Sequence, residues 1–266
     1  MIWKVELEGK YSYLAGTSHK FSYHFRDSLK ELIKRTKKVV LEGPMDSENF
    51  DRVIAFGRST PQVSLYDMLD SATIELLVDK LTSLYAEKTP PTFQVFVDFH
   101  IGTFYKRSIR EILKRNRAWM AFFLIWYEFL EIHDWKYSID MEILKIAKEL
   151  DRDVRFLETI YEQIKALEGI PPEKIVDFFR YADNWNEYIT NYEKLYLKGN
   201  LKELMELSKI FPTRCESIIE NRDPILFERM LQYLREGDSL IAIGVTHIPG
   251  IINRAQKEGF SITSTF

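Results

Sequence analysis

The residues of this chain best suited to chemistry are two histidines, each of which follows a glycine at the end of an apolar run. The first motif is Gly16-Thr17-Ser18-His19, and the second, after the run Leu240-Ile241-Ala242-Ile243, is Gly244-Val245-Thr246-His247. Ligands of open α/β sheets bind at the carboxyl ends of strands, so two such strands side by side would bring both imidazoles to one cleft. Neutral imidazole is the commonest metal ligand. The two motifs therefore indicate a metal site with His19 and His247 as ligands.

A glutamate closes a third apolar run, Val39-Val40-Leu41-Glu42, and is followed by Gly43-Pro44. A carboxylate at the end of a buried strand is costly unless it is paired, so Glu42 requires a metal, another cation or an arginine. Because Glu42 would face the same end of the sheet as His19, we interpret it as either a third metal ligand or a general base. Capping of the following turn is the structural alternative.

Two further residues are candidates for the same cleft. Arg222 could bind a substrate carboxylate or stabilise an oxyanion, and the alternative is a local salt bridge with Asp223. Asp140 could cap a helix or orient a histidine as a carboxylate partner. Glu158 and Glu162 stand at the start of a helical pattern, where we interpret them as capping residues.

The elements that must position these residues follow an α/β pattern. Apolar runs predict strands at 2–7, 11–15, 39–43, 239–243 and 260–264, with a hairpin turn at Gly9-Lys10. Helical spacing at 27–37 and 251–257 places a helix between consecutive strands, an arrangement that gives parallel pairing. We therefore expect an α/β fold with a mixed central sheet.

The middle of the chain differs from both ends. From Thr73 to Arg235 the pattern is mostly helical, with one strand at 153–158. A second strand-like stretch at 93–99 precedes His100. We expect one domain, 1–266, in which residues 1–65 and 236–266 form the α/β core and residues 73–235 form a mostly helical insertion around the cleft.

Composition excludes several classes of protein. The net charge is −3, which argues against a nucleic-acid partner. The single cysteine, Cys215, allows no intrachain disulfide and fits a reducing compartment. We interpret it as a buried thiol in an amphipathic helix.

The N-terminus alternates apolar and charged residues, as a strand does and a signal peptide does not. The apolar stretch Ala118 to Leu130 is too short for a membrane span and reads as a buried helix. We expect a cytoplasmic protein without a membrane span.

Aromatic side chains are frequent in the middle segment. Most of them should be core residues, because aromatics at helical spacing usually pack inside. For the stretch from Tyr181 to Trp185 we predict a different place, the mouth of the cleft, where the rings would grip an extended peptide.

Together these residues resemble the TraB/PrgY/GumN family, which includes the TIKI membrane metalloproteases. The resemblance rests on Gly16 to His19, Leu41-Glu42, Ser138 to Asp140, Phe156 to Thr159 with Glu162-Gln163, Asn221 to Asp223, and Gly244 to Gly250. It implies a fold similar to the erythromycin-esterase and ChaN-like α/β group. It also implies a metal-dependent, peptidase-like hydrolase that uses Mn²⁺ or Co²⁺, with Zn²⁺ as the alternative.

The same resemblance implies roles for individual residues. His19, Glu42 and His247 correspond to the metal and catalytic cluster, with Arg222 nearby and Asp140 among the catalytic residues. The expected partner is a peptide or protein substrate. Other branches of the family are tied to peptide pheromone shutdown. The rival hypothesis is therefore a non-catalytic protein that sequesters a peptide, or one that carries haem or a metal.

Overall fold

A mixed sheet forms the centre of the fold in the computed structural model, which describes residues 1–59, 63–88 and 102–265. The strands of the described residues are β1 (Ile2–Leu7), β2 (Lys10–Thr17), β3 (Lys38–Leu41), β4 (Asp153–Phe156), β5 (Ser239–Gly244) and β6 (Ser261–Ser264). Their order across the six-stranded sheet is β4-β3-β5-β2-β1-β6. The predicted strand at 93–99 and His100 lie outside the described residues.

Pairing in the sheet brings four carboxyl ends to one edge. Strands β4, β3, β5 and β2 are parallel neighbours, whereas β1 pairs antiparallel with β2 and β6. Thr17 in β2 lies opposite Gly244 in β5, and Leu41 in β3 lies opposite Ala242. The hairpin of β1 and β2 turns at Glu8-Gly9, where both residues have positive φ, as a tight hairpin requires. The prediction of this hairpin is confirmed, but the turn lies one residue earlier than the predicted Gly9-Lys10, because Lys10 already pairs with Leu7.

Helices cover the sheet and account for most of the described chain. They are α1 (Arg26–Lys34), α2 (Ser47–Gly57), α3 (Leu65–Met68), α4 (Ser71–Lys88), α5 (Gly102–Arg115), α6 (Ala118–Ile132), α7 (Ile139–Glu149), α8 (Ile160–Glu168), α9 (Pro172–Arg180), α10 (Trp185–Leu197), α11 (Leu201–Leu207), α12 (Asp223–Glu236) and α13 (Ile248–Lys257). The predicted α/β class with a mixed sheet is confirmed. Strand β4 comes from the middle segment and pairs with β3, so that segment contributes to the central sheet.

The aromatic core lies between α6, α9 and α10. Trp126 packs edge-on against Phe178 and Trp185, and the rings of Phe178 and Trp185 stack with centroids 5.5 Å apart. Trp185 is fully buried, and its Nε1 donates to the Phe178 carbonyl at 3.1 Å. The prediction that Trp185 grips substrate at the cleft mouth is therefore wrong. Burial in the core removes more of the apolar area of its ring from water than a position at the exposed mouth of a cleft would.

Two other predictions concern burial. Helix α6 is a buried helix as expected, and no helix of the described residues is long and apolar enough to cross a membrane. Cys215 is buried as predicted, but it lies in a series of turns rather than in an amphipathic helix.

Candidate functional site

The candidate site lies at the edge of the sheet where the four parallel strands end. His19 comes two residues after β2, and Glu42 immediately follows β3. Glu158 follows β4, and its backbone N–H donates to the Glu42 carbonyl at 2.9 Å. His247 closes a single turn of 3₁₀ helix after β5. Parallel pairing therefore places four titratable side chains from distant parts of the sequence at one edge.

Arg222 is the centre of the buried part of the site. Its Nη2 donates to Glu42 Oε1 and to Glu158 Oε2, both at 2.5 Å, and its Nε donates to Glu158 Oε1 at 2.9 Å. The contact with Glu158 is bidentate, the strongest geometry available to a guanidinium and a carboxylate. Burial opposes the charge on Arg222, but the two carboxylates outweigh it and raise the pKa of the guanidinium. The side chains of Arg222 and Glu42 are each 11% exposed and that of Glu158 is 2% exposed, so all three are buried.

Glu42 is held from a second side. Its Oε2 accepts the backbone N–H of Gly244 at 2.9 Å, so both of its oxygens have donors. Burial raises the pKa of this carboxyl, but Arg222, His247 and His19 together outweigh burial and lower the pKa far below its ordinary value. Glu42 is therefore ionised and fixed in place.

The second histidine motif packs into this buried cluster. His247 Nδ1 lies 2.7 Å from Asp223 Oδ1, and its Nε2 lies 3.4 Å from Nη1 of Arg222. Both His247 and Asp223 are buried. Glycine at position 250 makes this pair possible, because a Cβ there would stand 1.8 Å from Asp223 Oδ2. The glycine after the motif is thus a requirement of the His–Asp contact.

The first histidine motif has the same partner chemistry in an open environment. His19 Nδ1 lies 3.0 Å from Asp140 Oδ2, while Thr17 Oγ1 donates to Asp140 Oδ1 at 2.5 Å. Asp140 is buried, whereas the His19 side chain is 63% exposed. The Asp140 carboxylate is the largest cause that raises the pKa of His19 to about 9, and solvent around the exposed ring moderates this effect.

Backbone contacts explain why His19 meets Asp140. Phe21 and Tyr137 exchange backbone hydrogen bonds of 2.7 and 3.1 Å, and the Ile139 N–H donates to the Ser18 carbonyl at 3.2 Å. The segment after β2 is thereby pinned to the start of α7. Ser138 caps that helix, which leaves Asp140, the second helical residue, free to hold the imidazole.

A model of the TraB/PrgY/gumN family matches residues 1–264. The chain belongs to this family. The match spans essentially the whole chain and confirms the resemblance drawn from the sequence motifs. Among proteins of curated function, none matches this chain. The likeness to the erythromycin-esterase and ChaN-like group stays a prediction.

The residues predicted for the site of this family member lie together at one sheet edge: His19, Glu42, Asp140, Arg222 and His247. Glu158 was expected to cap a helix and does not. Thr159 caps α8 and shares a capping box with Glu162, while Glu158 binds Arg222. The sequence signal that could have identified Glu158 as a site residue is its position after the end of a strand, which it shares with Glu42. The predicted salt bridge between Arg222 and Asp223 is also absent from the hydrogen bonds of the described residues, since Asp223 contacts His247.

The donor chemistry suits a divalent cation. In both motifs a carboxylate fixes Nδ1, which is how proteins orient metal-binding histidines through Nε2. Nε2 of His247 is in contact with Nη1 of Arg222 in this arrangement. The site holds four carboxylates, two on Arg222 and one on each histidine, against one guanidinium, so its charge also favours a cation. Within residues 1–59, 63–88 and 102–265, however, no three His, Cys, Asp or Glu side chains are grouped around one point as ligands. Glu42 is engaged by Arg222 in this arrangement.

An open groove of about 860 Å³ runs beside Glu158. Its lining includes Pro44 from the loop after Glu42, Tyr161 from the start of α8, and Phe156 from the end of β4. Tyr161 is 65% exposed and Phe156 is 42% exposed. Exposed aromatic side chains in a groove next to buried charged groups are typical of a surface that binds a partner molecule.

Proposed function

We propose that this protein is a metal-dependent hydrolase that cleaves peptide or related amide bonds, with Mn²⁺ or Co²⁺ as the ion suggested by family resemblance and Zn²⁺ as the alternative. The observation that carries the proposal is the pairing of each motif histidine with a buried aspartate. Asp140 holds Nδ1 of His19 and Asp223 holds Nδ1 of His247, at the sheet edge that also carries Glu42, so Nε2 is the ring nitrogen that each motif would offer to an ion.

His19 and His247 would hold the ion through Nε2, with Glu42 beside them, and in His247 the ion would replace the contact between Nε2 and Nη1 of Arg222. A divalent ion bound there would lower the pKa of a water molecule and polarise the scissile carbonyl. Asp140 and Asp223 keep the imidazoles in the tautomer that leaves Nε2 unprotonated when neutral. Arg222 holds Glu42 in place, and its remaining donor could stabilise an oxyanion.

The geometry favours a ligand role over a base role for Glu42. Arg222 and the Gly244 N–H each donate to one carboxylate oxygen, and the surrounding charges lower the pKa of Glu42 far below its ordinary value, so Glu42 would be a weak base while it stays an anionic ligand. Replacement of Glu42 by Gln tests this assignment. We expect loss of bound metal, measured by elemental analysis of the purified variant. Retained metal with lost turnover would assign the base role instead. Glu149→Gln, in a half-exposed ion pair with Arg26 outside the groove, is the matched control.

Substrate would lie in the groove beside Glu158. The groove is open, as an extended chain requires, and its exposed aromatic residues Phe156 and Tyr161 supply contact area at small entropic cost. We therefore propose extended peptides with apolar side chains as the substrate class, selected by the loop after Gly43 and the start of α8.

The decisive experiment combines metal analysis with cleavage of a quenched fluorescent peptide library. We expect protein prepared without chelators to carry a divalent metal, and expect cleavage with added Mn²⁺ or Co²⁺ to be abolished by EDTA. His19→Ala should abolish cleavage, whereas His24→Ala, at an exposed histidine outside the cluster, should not. Cleavage that persists in EDTA would refute the metal requirement. Tight peptide binding without turnover under any metal would make the protein a binder.

A further inference from the structure

A second cavity lies away from the charged cluster, between α1 and the β1–β2 hairpin. Its volume is about 340 Å³, at the lower end of the roughly 300–1,000 Å³ found for small-molecule pockets. The lining is mainly apolar and includes Ile2, Ala15, Phe25, Leu29, Leu32 and Ile139. We infer that this cavity binds a medium-chain carboxylate, a linear apolar chain that ends in an acid group.

The cavity exists because one helix does not fill the space above the sheet. Phe25, Leu29 and Leu32 recur at helical spacing, so they share the face of α1 that points at β1 and β2. Leu29 is buried, but Phe25 and Leu32 are only partly buried. The apolar face of the helix is thus only partly covered by protein, and an apolar ligand would complete its burial.

The rim of the cavity determines which polar head group a ligand should carry. Arg35 ends α1 and lines the cavity, and its guanidinium makes no hydrogen bond or ion pair with another side chain in the described part of the protein. The acidic residue beside it, Glu31, is already engaged by Lys34 at 2.6 Å. The guanidinium of Arg35 therefore has no hydrogen-bonded anion among the described residues, and a carboxylate would complement it through a charge-assisted hydrogen bond.

The cavity is separate from the proposed hydrolase centre. Its wall includes Gly16 and Ile139, each one residue before a member of the His19 site, but neither Thr17 nor Asp140 lines it. Tyr196 also lines the cavity and donates to the Gly16 carbonyl at 2.5 Å. Binding of a carboxylate here does not depend on metal or on turnover, so the inference stands or fails on its own measurement.

Titration calorimetry with decanoate below its micelle concentration tests the proposal on the full chain. We expect saturable one-to-one binding, with hexanoate weaker by roughly tenfold or more because it buries fewer methylenes. Decanol and decyltrimethylammonium should also bind at least about tenfold more weakly, since neither carries a negative charge to form an ion pair with the guanidinium. Equal binding of decanol would refute the role of the acid group.

Two variants locate the site. Arg35→Glu should weaken decanoate binding about tenfold or more and improve binding of decyltrimethylammonium, because the sign of the rim charge is reversed. Leu32→Trp should block binding by filling the cavity. Lys30→Glu, on the same helix but not in the cavity wall, is the matched control and should change affinity by less than about twofold at physiological salt. Unchanged decanoate binding in both Arg35→Glu and Leu32→Trp would overturn the inference, as would the absence of saturable binding to the wild-type protein.

Discussion

The two histidine motifs use the same partner chemistry in opposite environments. His19 and His247 each place Nδ1 on an aspartate, Asp140 in one case and Asp223 in the other. The His247 side chain is only 3% exposed and touches Arg222, whereas the His19 side chain is 63% exposed. Similar motifs therefore build one buried half and one accessible half of the same site.

The buried half therefore holds the site in shape, and the accessible half is the part that a ligand can contact. In the buried half, Arg222 joins Glu42, Glu158 and His247 into a continuous network. The hydrogen bonds of this network offset the free-energy cost of removing each side chain from water. In the open half, solvent can replace a lost partner of His19. Mutations in the two halves should consequently differ first in stability and only then in activity.

Removal of Arg222 should have the largest effect. Arg222→Met leaves Glu42 and Glu158 buried without their cation, and breaking a buried pair in this way costs about 3–5 kcal/mol. Urea denaturation followed by circular dichroism would measure the change in unfolding free energy.

The matched control for this variant is Arg229→Met. Arg229 pairs with Glu162 at 2.7 Å, but both side chains are about two-fifths exposed, so its loss should cost no more than about 1 kcal/mol. Equal losses in the two arginine variants would contradict the division into a buried and an open half.

The two histidines should differ by a smaller amount. His247→Ala leaves the buried Asp223 carboxylate without its partner, at a cost of about 1–3 kcal/mol. His19→Ala should cost less than about 1 kcal/mol, because water can reach Asp140 through the space left by an exposed ring. Thermal unfolding of both variants in the same buffer measures the difference. A larger loss for His19→Ala would reverse the comparison.

The hydrogen bond from Thr17 to Asp140 tests the accessible half of the site in more detail. Thr17→Val keeps the shape of the side chain but removes the hydroxyl that donates to Asp140, so we expect a loss of about 1 kcal/mol. The ring of His19 should also become more mobile. Nitrogen chemical shifts of the imidazole, measured by ¹⁵N NMR, would report this change. Unaltered shifts and stability would show that Asp140 needs only His19.

The smallest expected effect is the pH dependence of the stability that the Glu162–Arg229 ion pair contributes. Hydrogen bonds from Arg229 and then from the Thr159 N–H lower the pKa of Glu162 to about 2 from 4.5. The carboxylate therefore stabilises the fold fully above pH 4.5 and loses its contribution as pH falls towards 2. Wild type and Glu162→Gln should differ by less than about 1 kcal/mol at neutral pH and converge near pH 2. A constant difference across this range would contradict the assignment.

Local sequence was informative where a residue's role follows from its place at a strand end. An apolar run, a glycine and a histidine are contiguous, so the neighbouring positions of His19 and His247 could be predicted without the rest of the chain. Glu42 could be predicted for the same reason. The α/β class followed from strands and helices that alternate at both ends of the chain.

Residues whose partners are distant could not be predicted in this way. Glu158 stands before a helix whose cap, Thr159, explains the local pattern by itself, and only the pairing of β4 with β3 reveals Arg222 as its partner. Asp223 follows Arg222 directly, but consecutive residues at a helix start point in different directions. Trp185 was misplaced because helical spacing does not show which neighbouring helix covers a face.

The parallel alignment of β2, β3 and β5 also bears on how the site forms as the protein folds. The Gly244 N–H and the Glu42 carboxylate that it binds are separated by 202 residues, and Arg222 and Glu42 are separated by 180. Contacts of such long range form only after the loop-closure entropy of the intervening chain has been overcome, so a nascent chain lacking β5 has no site. The candidate centre should therefore appear in the last cooperative step of folding. The amide of Gly244 should exchange with solvent only by global unfolding, which makes its protection a direct reporter of the stability of the whole sheet.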